Sequence, residues 1–123
     1  MVGHATFSIT TRNGKVLLID PWLNNPSNPT AKDGKDPLVA VPKVDYILLN
    51  IGGHFGMDPK MAAKAAQSVR AKRAIPQHFG TFPGIVQNAD GFAAELKKLK
   101  IDFYEMKPVE TISFRGNQLV KSL

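Results

Sequence analysis

The sequence predicts a layered α/β domain with a mixed β-sheet and flanking helices, and three observations carry that prediction. Short apolar runs of strand length fill the first fifty residues, helix-period segments alternate with strands in the second half, and Gly, Pro, Asn and Asp clusters punctuate the boundaries. At 123 residues the chain fits a single domain, spanning 1–123, and is long enough to bury a core.

The elements follow in order. Ala5, Phe7 and Ile9 alternate with Thr6, Ser8 and Thr10, the period of a half-buried strand. Asn13-Gly14 reads as a two-residue hairpin turn, since both positions tolerate positive φ. Val16-Leu17-Leu18-Ile19 is a continuous apolar run, expected of a strand covered on both faces, and Asp20-Pro21 stops it. Residues 23 to 43 read as a loop, with Asn24-Asn25-Pro26-Ser27-Asn28-Pro29, Asp33-Gly34 and Asp36-Pro37; a stretch this long without structure is usually functional or mobile. Tyr46-Ile47-Leu48-Leu49 is the next buried strand, and Gly52-Gly53 a turn.

Asp58-Pro59 is a helix start, an N-cap followed by proline at the first helical position. Ala62, Ala65, Ala66 and Val69 give that helix a small-residue face suited to close approach to a sheet. Ala74-Ile75 is a short strand running into Pro76. Asp90 is the expected cap of a second helix with Phe92, Leu96 and Leu99 on one face. Asp102 to Met106 and Thr111 to Phe114 complete the strands, with Gly116-Asn117 as a closing turn.

Composition narrows the function classes. No apolar run approaches the roughly 18 residues of a membrane span, and Met1-Val2-Gly3-His4 lacks the pattern of a signal peptide. With no cysteine, thiolate metal sites and disulfides are excluded. The expectation is a soluble intracellular protein, cytoplasmic by default, with no membrane partner. The net charge of +6 raises nucleic acid as a partner. Its placement argues otherwise: Lys64, Arg70, Lys72 and Arg73 lie in or after one predicted helix, and Lys97, Lys98 and Lys100 finish the other. Cations there solvate an outer face and complement the helix dipole, and no aromatic residues interleave with them as a base-stacking platform requires.

Three histidines stand at predicted strand edges: His4, His54 and His78. Asp20 ends a buried strand, where a carboxylate can sit at a sheet's rim beside a site. Each alone reads as a surface or turn residue; their sequence surroundings say more. Gly3-His4-Ala5-Thr6-Phe7, Leu18-Ile19-Asp20-Pro21-Trp22-Leu23 and Val44-Asp45-Tyr46-Ile47-Leu48-Leu49 resemble the N-terminal part of metallo-β-lactamase-fold hydrolases of the ascorbate-6-phosphate lactonase-like branch. Ile51-Gly52-Gly53-His54-Phe55-Gly56-Met57-Asp58-Pro59, the alanine-rich helix, and Ile75-Pro76-Gln77-His78-Phe79-Gly80-Thr81-Phe82-Pro83 resemble its C-terminal part.

The resemblance implies a truncated metallo-β-lactamase-like sandwich and a metal ion, zinc or manganese, whose bound water attacks an ester, lactone or phosphoester bond of a small-molecule substrate. It matches Asp20 to a first-motif aspartate that supports the metal loop, and His78 to a metal-ligand histidine; His4 and His54 fall in motifs near the site. It also marks a departure. In the family, a strand like Tyr46 to Leu49 runs into a His-x-His-x-Asp-His loop, whereas here Leu49 is followed directly by Asn50-Ile51-Gly52-Gly53. The middle segment is absent, and with it most of the metal ligands. His4, His54, His78 and Asp20 are the candidate ligands for a substitute site. Losing that segment should also bare strand edges and apolar surface, which two copies would cover as a homodimer. The competing classes are a hydrolase with a reorganised or dimer-composite site, a non-catalytic remnant acting as an interaction domain, and a basic nucleic-acid binder.

Overall fold

The computed structural model describes residues 6–21, 43–54, 56–115 and 118–122. His4, Trp22, Phe55, the Gly116-Asn117 turn and all of the predicted 23–43 loop but its last residue lie outside them. Among the described residues the elements follow in the order β1 (Phe7–Thr10), β2 (Val16–Ile19), β3 (Tyr46–Asn50), α1 (Pro59–Ser68), β4 (Arg73–Gln77), α2 (Asp90–Lys98), β5 (Asp102–Phe103), β6 (Thr111–Arg115) and β7 (Gln118–Ser122). The first five strands form one mixed sheet in sequential order; β6 and β7 form a separate antiparallel hairpin.

The β1–β2 connection is antiparallel, with Thr10 opposite Val16. The loop differs from the two-residue turn predicted at Asn13-Gly14. Thr11 and Lys15 still pair, Thr11 N–H donating to the Lys15 carbonyl at 2.8 Å, so the loop is three residues long. Gly14 takes φ +76° while Asn13 keeps negative φ, as in a type I turn closed by a left-handed glycine.

From β2 onward the strands are parallel, Leu18 aligning with Ile47 and Ile47 with Ala74. With sequential order and right-handed crossovers, α1 and α2 fall on the same face of the sheet and pack on each other. Their buried side chains Ala62, Ala63, Ala66, Phe92 and Leu96 meet Val16, Leu18, Ile47, Leu49 and Ala74. Alanines allow α1 to lie close to the strands, as its small-residue face predicted, with Ala63 joining it.

The register puts Phe7, Ile9, Leu17, Ile19, Tyr46, Leu48, Arg73 and Ile75 on the opposite face. Only part of that face is covered. Phe114 of β6 stacks on Tyr46 with ring centroids 3.8 Å apart, and the Arg73 guanidinium sits 5.8 Å from the Phe114 centroid. Phe7 and Ile9 remain 50% and 48% exposed, and Leu17 and Ile19 are half-buried. The expectation that Val16–Ile19 is covered on both faces therefore holds on the helix side alone.

Three further boundaries differ from expectation. The strand at Ala74-Ile75 continues through Pro76 to Gln77. Ala74 accepts from Tyr104 N–H and Gln77 from Ile51 N–H, so even-numbered β4 residues face β5 and odd ones face β3. Pro76 thus turns its donor-less nitrogen toward the side where the two-residue β5 has already ended, and no ladder bond is lost. The strand expected over Asp102 to Met106 stops at Phe103, and Lys107 to Glu110 form a turn held by Tyr104 Oη donating to Glu110 Oε1 at 2.5 Å. Asp90 is the first residue of α2 rather than its cap, which is Ala89; it acts through its charge in the first turn. Among the described residues, no helix is long and apolar enough to cross a membrane.

Candidate functional site

Parallel strands bring their C-terminal ends to one rim, where ligands of open α/β sheets bind. Asp20 follows β2 there with φ +47°, its N–H donating to Leu48 at 2.8 Å and its carbonyl accepting from the buried Thr6 hydroxyl at 3.1 Å. Asn50 ends β3, and His78 follows β4 with φ +59°. His54 lies in the turn after β3, its N–H donating to Gly52 at 3.2 Å. Both described histidines are exposed and Asp20 is half-buried. His4 lies outside the described residues.

The rim gathers these residues without joining them. Asp20 and His78 follow strands two places apart, about 10 Å at the usual strand spacing. Among the described residues, no three of His, Cys, Asp and Glu come together as a group that could hold a metal. A catalytic zinc commonly takes three protein ligands at about 2 Å. The described donor set does not fit such an ion, and the four-ligand grouping of His4, His54, His78 and Asp20 is not assembled by its described members.

What the rim does build is a cleft. Asn50, Gly56, His78, Thr81, Phe82 and Ile85 surround a space of about 100 Å³. Gly52 N–H donates to Asn50 Oδ1 at 2.9 Å, which fixes the side-chain amide and leaves its NH₂ as the remaining donor. Two glycines make room. A Cβ on Gly56 would stand 2.5 Å from Asn50 Nδ2, and one on Gly52 would stand 2.5 Å from the His78 carbonyl oxygen.

The loop after β4 is tied down from several sides. Val86 N–H donates to Gly52 at 3.0 Å and Gly80 N–H to Val86 at 2.9 Å. Gln87 Nε2 donates to the carbonyls of Phe82 (3.0 Å) and Ile85 (2.6 Å). The outer side of this loop, from Gly80 to Gln87, walls an open depression of about 520 Å³ that shares Thr81, Phe82 and Ile85 with the cleft. The sequence places Thr81 and Phe82 inside a motif and Asn50 directly after the strand Tyr46–Leu49, but assigns none of the three a role. The signal available for Asn50 was an amide closing the apolar strand Tyr46–Leu49.

At the other end of the sheet, Asp45 is buried and accepts from Val16 N–H at 3.0 Å, with Lys72 Nζ at 3.1 Å and Lys15 Nζ at 3.7 Å. Burial pushes its carboxyl up, but the Val16 hydrogen bond and the two ammonium groups outweigh burial and hold it below its ordinary value. Burial, with the hydrogen bond and charge of Glu110, pushes the Tyr104 phenol up to about 12. Asp45 braces the end of the sheet opposite the rim, and Tyr104 braces the turn that follows β5.

Two solved structures share this architecture. Igni18, a metallo hydrolase from the archaeon Ignicoccus hospitalis, superposes with a TM-score of 0.54 at 23% identity, over 70% of this chain and 35% of that one. A candidate Zn-dependent hydrolase of the metallo-β-lactamase superfamily from Thermotoga maritima gives 0.51 at 20% identity, over 76% and 44%. The chain is a partial metallo-β-lactamase fold. Sequence relatives agree with that fold. The UPF0173 metal-dependent hydrolase of Thermodesulfovibrio yellowstonii is 40% identical over 92 residues, 73% of this chain and 33% of that protein. The UPF0173 metal-dependent hydrolase of Myxococcus xanthus is 39% identical over 89 residues, 71% of this chain and 32% of that protein. This partial metallo-β-lactamase fold spans about a third of the length of these curated relatives. No family model matches it.

Proposed function

We propose that this chain belongs to a metal-dependent hydrolase acting on an ester, lactone or phosphoester bond, with its rim holding the substrate and its metal donors completed from outside the described residues. The observation that supports this reading is the convergence of Asp20, Asn50 and His78 at the ends of three adjacent parallel strands, beside a built cleft. Zinc or manganese is the expected ion, and His78, His54, Asp20 and His4 are the residues through which this chain would contribute to it. The described donors alone do not complete a metal site. A second copy is the proposed partner. The exposed Phe7 and Ile9 lie on an uncharged strand that, among the described residues, is at the edge of the sheet, and a homodimer that pairs there would extend the sheet and its apolar face.

The same missing ligand group favours a second reading, in which the chain is a non-catalytic remnant that keeps the binding rim. Elemental analysis of the purified chain, grown with added zinc and manganese, separates the two. The hydrolase reading expects about one tightly held ion per chain or per dimer, lost in His78→Ala. A folded protein that retains no metal overturns it and leaves the non-catalytic reading.

A further inference from the structure

Deepening the hydrolase reading, on which it rests for its place in the protein's work, we infer that the β3–β4 rim is a two-part site for a neutral acyl compound bearing an apolar arm. Asn50 and Thr81 take the carbonyl, and Phe82 with Ile85 takes the arm. The inner cleft of about 100 Å³ has room for a small functional group, some three waters at ~30 Å³ each. Among the described residues its polar side-chain-bearing lining is Asn50, Thr81 and His78. Asn50 presents amide hydrogens there because its oxygen is already engaged by Gly52 N–H. The outer depression is open to solvent and continues past Phe82 and Ile85.

Phe82 supplies the argument for the arm. An aromatic ring 48% exposed loses favourable burial, yet its backbone is held in place by the Gln87 side chain between two glycines at positive φ, Gly80 and Gly84. A loop built to hold an apolar ring half in water at the mouth of a polar cleft is suited to a ligand that covers that ring. The charge of the ligand follows from what is missing from the lining. Among the described residues, no Lys or Arg lines the cleft or the depression. Phosphate recognition draws on Arg, Lys or a helix N-terminus, whereas a carbonyl oxygen needs only neutral donors. Esters and amides of apolar acids therefore fit where phosphoesters do not.

Binding is tested without turnover. The full-length ¹⁵N-labelled chain is titrated with N-methyl-2-phenylacetamide and, separately, with phenyl phosphate, following amide shifts. The amide is expected to shift Asn50, Gly56, Thr81, Phe82 and Ile85, and phenyl phosphate to bind about tenfold more weakly or not at all. Phe82→Ala, at a half-exposed site, should weaken amide binding about tenfold while leaving the rest of the spectrum in place. Tighter binding of phenyl phosphate, shifts centred elsewhere, no saturable shift up to millimolar amide, or unchanged affinity in Phe82→Ala each overturns the inference. Metal content plays no part in this readout, so the binding site can fail while the hydrolase reading stands, and the reverse.

Discussion

Asp45 joins the N-terminal ends of three strands through one carboxylate: it precedes β3, accepts from Val16 of β2 and pairs with Lys72, which leads into β4. Its backbone takes part too, with Asp45 N–H donating to Val16 at 2.9 Å and Arg73 N–H donating to Asp45 at 3.1 Å. Asp45→Ala strands a buried N–H and two ammonium groups and should cost about 2 kcal/mol in urea unfolding at neutral pH. The folded carboxyl titrates below its ordinary 3.8, so its charge stabilises the fold fully above that value. The contribution is lost as pH falls through the folded value. The gap between wild type and Asp45→Ala should therefore narrow in acid below 3.8, and a gap that stays constant down to strongly acidic pH would count against this role. Nothing in the sequence marked Asp45 as an anchor, because its partners sit 29 residues before it and 27 after it and meet only once the parallel register is formed.

Elements whose signals are local were legible. Asp58 caps α1 as read, its side chain accepting from Met61 N–H at 2.8 Å with Pro59 at the first helical position. Asp58→Ala should lower stability by about 1 kcal/mol without changing the core, measured by thermal or urea melts. A loss below the error of such melts would mean that packing of the alanine face alone fixes the start of α1. Elements that depend on a neighbour were misjudged at their ends. The Arg12–Gly14 loop chose three residues over two, a choice set by strand pairing as well as by the Asn-Gly pair. β5 stopped early because the Lys107–Glu110 turn and the Tyr104–Glu110 bond draw the chain away from the sheet. β7, carried by Gln118–Ser122, is not among the expected strands; among the described residues its strand partner is β6. The rim showed the same division. The histidines and Asp20 were visible by residue type, whereas Asn50 and Phe82 acquire meaning from Gly52, Gly56 and Gln87, which pack or bond against them.

At the scale of the molecule, the two faces of the sheet differ. One is sealed by α1 and α2; the other is covered by the β6–β7 hairpin at Tyr46 and leaves Phe7 and Ile9 half in water. The proposed homodimer makes a direct prediction. Light scattering at tens of micromolar should give twice the 13.4 kDa chain mass, and Phe7→Ser with Ile9→Ser should return it to monomer. A monomer for the unmodified chain at that concentration overturns the pairing. The expectation of a homodimer rests on what the resemblance lacks, the middle segment after Leu49. Which edge would be bare could be read only from the strand order.

That strand order makes the two ends of the sheet unequal. At the β4–β5 end, Pro76 offers no donor, the last strand is two residues long, and Asp102 places a charge there with its side chain 73% exposed. At the other end, β1 is uncharged and, among the described residues, pairs only with β2. A sheet with one sticky end and one blunted end can join a twin, but the pair then has only blunted ends to offer. In the proposed homodimer growth would halt at two, because the short, charged β5 and the donor-less Pro76 beside its end offer no third copy an edge to pair with.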